Sequence, residues 1–133
     1  VLYPKGVWDH DDVLHLNIDA GHSARDTFLT PSWAPAAQIS LPVTTIDALV
    51  KELHLPRVDF IKMDIEGAEQ RAIAGARGVI TGYRPRMALC TYHLPGDAAG
   101  VPGLVAKFVP GYRVRRSYEL TAERLLLEVA HFF

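Results

Sequence analysis

Val58-Asp59-Phe60-Ile61-Lys62-Met63-Asp64-Ile65-Glu66-Gly67-Ala68-Glu69 is an apolar, strand-like run that ends in two carboxylates, a glycine and the start of an amphipathic helix. Open α/β sheets present polar groups in this way at the carboxyl ends of their strands, where they bind ligands. Asp64 and Glu66 are two residues apart, so on an extended strand they project to the same side. Paired acids at such a rim can bind a metal, accept a proton or hold a substrate hydroxyl. An aspartate closing an apolar strand costs desolvation unless something binds it, which marks Asp64 as functional. Glu66 and Glu69 also sit where a helix dipole and free backbone N–H groups favour negative charge, and that alone accounts for Glu69. Lys62, on the strand face of Asp64, is placed to be its charge partner.

Working outward, Val58 to Ile65 reads as a strand apolar on both faces, hence a buried parallel one. Gly67 to Ile80 reads as one helix with Ala68, Ala72, Ile73, Ala76, Val79 and Ile80 on one side, stopped by Gly82 and Pro85. Arg86 to Tyr92 is the next strand, and His93 ends it. Adjacent parallel strands deliver their carboxyl ends to one rim, so His93 is positioned to face the acids. Near neutral pH it can serve as a general base for a hydroxyl nucleophile, or it can be a loop histidine hydrogen-bonded to backbone. Pro95, Gly96 and Asp97 turn the chain into a helix from about Val101 to Val109, with Pro102 in its first turn. Tyr112 to Tyr118 and Arg124 to Phe132 are the last strands. They are joined too tightly for a crossover, so the final strand is antiparallel to its neighbour.

Upstream, Leu2 to Val7 and Val13 to Ile18 read as a hairpin across Asp9-His10-Asp11-Asp12. Residues 19 to 38, with Gly21, Ser23, Pro31, Ser32 and Pro35, form a long loop of the kind that selects substrates. Ile39 to Val43 is a short strand. Thr44-Thr45-Ile46-Asp47 is a capping-box-like start to a helix carrying Ile46, Leu49, Val50 and Leu53, closed by Pro56. The order of elements indicates an α/β fold with a mainly parallel sheet.

Composition narrows the function. The chain has 133 residues, 49% of them apolar and 22% charged, a globular balance with a formal charge of -1. No basic concentration extends beyond Arg113, Arg115 and Arg116, which argues against nucleic acid. Cys90 is the single cysteine, expected as a small buried thiol, which excludes an intrachain disulfide or a cysteine-based zinc site and suits a cytoplasmic setting. No apolar run is long enough to span a membrane. Gly-x-Gly-x-x-Gly, Walker A, Gly-x-Ser-x-Gly and zinc motifs are absent.

Together these residues resemble the FkbM family of S-adenosylmethionine-dependent methyltransferases. The strand ending in Asp64-Ile65-Glu66-Gly67-Ala68-Glu69 is similar to that family's Asp-x-Glu-Gly-x-Glu. Pro4 to Asp9 followed by Leu14 to Ile18, Pro42 to Leu49, Tyr92 to Asp97, and the ending with Tyr112, Arg113 and Tyr118 are similar as well. The resemblance implies a class I, Rossmann-like methyltransferase sheet and transfer of a methyl group to a hydroxyl of a sugar or natural product. It implies Asp64 and Glu66 as active-site acids, Asp64 also on the cofactor side, His93 as a base or substrate contact, and Trp8 near the adenine edge. No metal is implied.

The family's first two strands, with a glycine-rich cofactor loop and a ribose-gripping acid, have no counterpart in this sequence. Residues 1 to 133 are thus expected to be the C-terminal portion of a single domain that by itself binds the cofactor poorly. The missing strands would leave an open sheet edge able to pair with a second copy or a partner chain. Two alternatives remain: an inactive partial-fold assembly module, and a metal-dependent Asp-x-Glu nuclease. Asp97 is the only downstream aspartate that could add a ligand for the latter.

Overall fold

The computed structural model describes residues 1–22, 25–29, 31, 34–120 and 125–133. Eleven elements follow in chain order: β1 (Gly6–Val7), β2 (Asp12–Ile18), β3 (Ala37–Thr44), α1 (Ile46–Glu52), β4 (Phe60–Met63), α2 (Glu69–Ala74), α3 (Arg77–Tyr83), β5 (Arg86–Cys90), α4 (Asp97–Phe108), β6 (Val114–Leu120) and β7 (Leu125–Phe132). They build an α/β fold with two sheets, one of order β1-β3-β2 and one of order β4-β5-β7-β6.

Both sheets are mixed, which corrects the expectation of a mainly parallel one. Among the described residues only β1/β3 and β4/β5 pair in parallel; β2/β3, β5/β7 and β6/β7 are antiparallel. The closing strand is antiparallel, as expected, but it inserts between β5 and β6 and so converts two interfaces. The predicted hairpin of residues 2–7 with 13–18 also fails. The eight-residue β3 takes β1 on one edge, at Gly6↔Val43, and β2 on the other, at Leu14↔Leu41. A long central strand satisfies both short ones, which a direct pairing of β1 with β2 would not.

The core lies on one face of the four-stranded sheet. Ile61 and Met63 of β4, Met87 and Leu89 of β5, and Ala130 and Phe132 of β7 pack with Ala72, Ile73, Val79, Ile80, Val101 and Val105 of the helices. β4 is therefore not buried on both sides. It is an edge strand of four residues whose Phe60 is 58% exposed.

The single helix predicted over residues 67–80 is two helices, broken at Gly75. A Cβ there would lie 2.1 Å from the carbonyl oxygen of Trp8, and the Gly75 carbonyl accepts a hydrogen bond from Asp47 N. The backbone of β1's exit thus occupies the groove that a continuous helix with side chains would fill. Ala76 gives α3 no side-chain cap. Asp47 supplies one, accepting from Gly78 N at 2.7 Å and Val79 N at 2.8 Å. Thr45 caps α1 through Ala48 N, as the sequence anticipated. Pro102 falls in the interior of α4, not its first turn, because that helix begins four residues early at Asp97. Arg124, Ser23, Ser32 and most of the turn between the last strands lie outside the described residues.

Candidate active site

Parallel pairing of β4 with β5 brings their carboxyl ends to one rim. Asp64 and Glu66 follow β4, His93 follows β5, and Glu69 opens α2. The three predicted acid–base residues meet here. Nδ1 of His93 lies 3.0 Å from Oε1 of Glu69, and Nε2 lies 3.2 Å from Oε1 of Glu66 and 3.4 Å from Oδ1 of Asp64. A carboxylate only accepts, so Nδ1 carries the hydrogen that it donates to Glu69.

Glu69 is the residue that sequence reasoning undervalued. It is 0% exposed and also accepts from Ile65 N at 3.0 Å. Its position was in the pattern: Glu69, Ala72, Ile73 and Ala76 share one helical stripe, so the acid had to enter the core with the alanines. Burial alone would raise its carboxyl, but the hydrogen bonds from His93 and Ile65 hold it below the usual range. Burial disfavours the His93 imidazolium, yet the Glu69 hydrogen bond and the carboxylates of Glu69, Glu66 and Asp64 outweigh that and raise it.

Asp64 is partly desolvated, but hydrogen bonds from Cys90 and Lys62 and the charges of Lys62 and His93 keep its carboxyl low. Lys62 Nζ is 3.3 Å from Oδ2, the expected charge pair, and the Tyr92 hydroxyl is 3.4 Å from Oδ1. Cys90 is the buried thiol anticipated, and burial beside Asp64 pushes it up to about 12, so it is no nucleophile. Burial and the Asp64 charge also raise the Tyr92 phenol.

Glu66 is left-handed, with φ of 53°, and Gly67 follows at 94°. Such a conformation costs a non-glycine residue free energy and persists only when its surroundings enforce it. Thr27 enforces it, its hydroxyl donating to the Glu66 carbonyl at 3.0 Å. A Cβ on Gly67 would approach Leu29 Cδ1 at 2.9 Å and Leu94 at 3.0 Å. The described part of the long loop is therefore pinned. Buried Asn17 donates to the carbonyls of Thr27 and Leu29 and accepts from Gln38.

A cleft of about 420 Å³ opens beside the acids, lined by Lys5, Leu16, Asp26, Phe28, Asp64 and Glu66. Trp8 does not line it. Trp8 is 8% exposed, packs with Val43 and Ala68, and has the Arg71 guanidinium 5.6 Å over its ring. One ring face is taken by Arg71, and Phe28 meets the ring edge-on. Asp97 is likewise spent, buried and accepting from Gln70 Nε2 and Leu94 N, which removes the nuclease alternative's further acid. A larger surface groove of about 700 Å³ lies between α1 and α3, but its Asp47 is committed to capping. Among the described residues no helix is long and apolar enough to cross a membrane.

The family model described as the methyltransferase FkbM domain matches residues 2–122. The chain belongs to the FkbM methyltransferase family. A crystal structure of methyltransferase FkbM from Methylobacillus flagellatus KT aligns with a TM-score of 0.71 at 20% identity, over 100% of this chain and 28% of that one. That likeness speaks for the fold, and this FkbM chain spans little more than a quarter of the solved protein. No curated protein matches it.

Proposed function

We propose that this FkbM chain is the acceptor-side part of a class I, S-adenosylmethionine-dependent O-methyltransferase acting on a hydroxyl of a sugar or natural product. The observation that carries the reading is the His93–Glu69 pair set behind Asp64 and Glu66 at a strand rim, beside a cleft large enough for a sugar-sized ligand. The order β4-β5-β7-β6 with an antiparallel β7 supports the class I assignment.

S-adenosylmethionine would supply the electrophilic methyl group. The residues described here do not fit the whole cofactor: Trp8 is covered, and no glycine-rich strand–helix turn is present. This chain's own part is to hold and deprotonate the acceptor. Asp64 and Glu66 are partly exposed, so an entering hydroxyl meets them first and donates to a carboxylate. His93, only 7% exposed, lies behind them. It takes the proton at Nε2 by relay, and Glu69 stabilises the imidazolium through Nδ1. Fixing the hydroxyl in the attack direction supplies the rest of the rate.

In the protein that carries this chain, transfer of labelled methyl from S-adenosylmethionine to a panel of sugar and polyketide hydroxyls is the test. Asp64→Asn is expected to lower kcat by about 10²–10⁴-fold. Full activity in that variant would overturn the reading. A second reading, an assembly module, is favoured by the free edge of β4 and the exposed Phe60 beside it. Light scattering separates the two, because a chain that stays monomeric and takes up no partner is no assembly module.

A further inference from the structure

The geometry points to a divalent-cation site formed by Asp64, Glu66 and His93; an ion there takes the Nε2 lone pair, so the loaded site is an alternative to the proton relay proposed above and not a part of it. Nε2 of His93 is buried and has no hydrogen-bond partner, although carboxylate oxygens lie 3.2 Å and 3.4 Å away. Its other nitrogen is committed to Glu69. When His93 lacks the Nε2 proton, the ring held by that bond aims a lone pair at two anionic oxygens, and when it carries the proton, Nε2–H finds neither oxygen in hydrogen-bond alignment. A positive centre between them removes the conflict.

An ion satisfies the spacing. One donor atom from each of the three residues lies within 4.8 Å of the others. Ligand atoms held about 2.0–2.2 Å from a zinc-sized ion sit about 3.0–3.5 Å from one another, which the 3.2 Å and 3.4 Å separations from Nε2 match. Glu69 completes a carboxylate–histidine–metal relay, fixing the ring and making Nε2 a better donor. Lys62, Tyr92 and Cys90 all bond Asp64, and none is directed at Nε2. Once the ion has displaced any proton from Nε2, the three carboxylates and one ammonium leave two negative charges in excess, which one divalent cation neutralises.

The ligand set names the ion's class. One imidazole with two carboxylates suits Mn²⁺ or Zn²⁺, whereas Mg²⁺ and Ca²⁺ prefer all-oxygen sites. A single ion is implied, because this is the only such group among the described residues. Asp64 and Glu66 line the cleft, so positions not taken by protein donors would be open to water.

Titration of the chain with MnCl₂, followed by loss of the aqueous Mn²⁺ resonance in electron paramagnetic spectra, tests the site without any methyl donor. One equivalent is expected to bind. Glu66→Gln and His93→Gln should each weaken it at least about 10-fold, and Asp59→Asn should not. Circular dichroism checks each fold. Should His93→Gln fail to fold, Glu66→Gln still decides, because its side chain is partly exposed. In the unaltered chain, substoichiometric Mn²⁺ should broaden the His93 imidazole signals before those of His15 and His54. Absence of saturable uptake, uptake indifferent to Glu66→Gln, or broadening of His93 no faster than His15 would each overturn the proposal.

Discussion

Glu69 and His93 set the electrostatics of the rim because they are the buried members of a cluster whose other acids touch solvent. Their opposite shifts define a pH window. His93 is raised in the fold, so its contribution is complete below its ordinary value of 6.5 and is lost as pH rises through the raised one. Glu69 is lowered, so its contribution is complete above 4.5 and is lost as pH falls through the lowered value. With a chelator present, urea denaturation should show higher stability near pH 6 than near pH 8.5, a difference that shrinks in Glu69→Gln. At pH 6 that variant should lose about 1.5–3 kcal/mol, the worth of a hydrogen bond to a charged group. Proton titration by NMR should show its His93 falling towards the ordinary value. Gly67→Ala is expected to cost about 1–3 kcal/mol in the same assay, because a Cβ would meet Leu29 and Leu94 at a positive φ.

At the scale of elements, two features hold the rim in place from a distance. The break at Gly75 lets the exit of β1 press against the α2–α3 junction, and Asp47 ties α1 to the start of α3. Gly75→Ala sets a Cβ against a backbone carbonyl that cannot move aside like a flexible side chain. It should fail to fold or lose more than about 3 kcal/mol by thermal unfolding, at the severe end for overpacking. Asp47→Ala removes a cap and should cost about 1–2 kcal/mol, with an unchanged urea m-value because the native surface is the same. Periodicity located α1, a single helical stretch where α2 and α3 lie, and the strands that flank the site. It could not show the break, since the alanine stripe runs on in register across Gly75 and only the Trp8 carbonyl interrupts it.

For the molecule as a whole, the four-stranded sheet is covered by helices on one face, and among the described residues its first strand, β4, has a free edge. Isothermal titration of the isolated chain with S-adenosylmethionine should give weak or no binding, whereas tight one-to-one binding would show that these residues form a cradle by themselves. Phe60→Asp, on the exposed side of β4, should leave the chain folded and reduce any self-association seen by light scattering.

The sequence by itself determined the strand–acid–glycine–helix unit, the convergence of Asp64, Glu66 and His93 and the α/β class, because these follow from local periodicity and from the polarity of adjacent parallel strands. It also determined the family, through a motif whose residues are contiguous. The tertiary structure decided which strands pair, since β1, β2 and β7 choose partners by hydrogen-bond satisfaction across long separations that no local pattern encodes. It also packed Trp8 under Arg71. Above all it joined Glu69 to His93, 24 residues apart, and left Nε2 facing two carboxylates. That is a relation between side chains in space, and spacing along the chain carries no record of it.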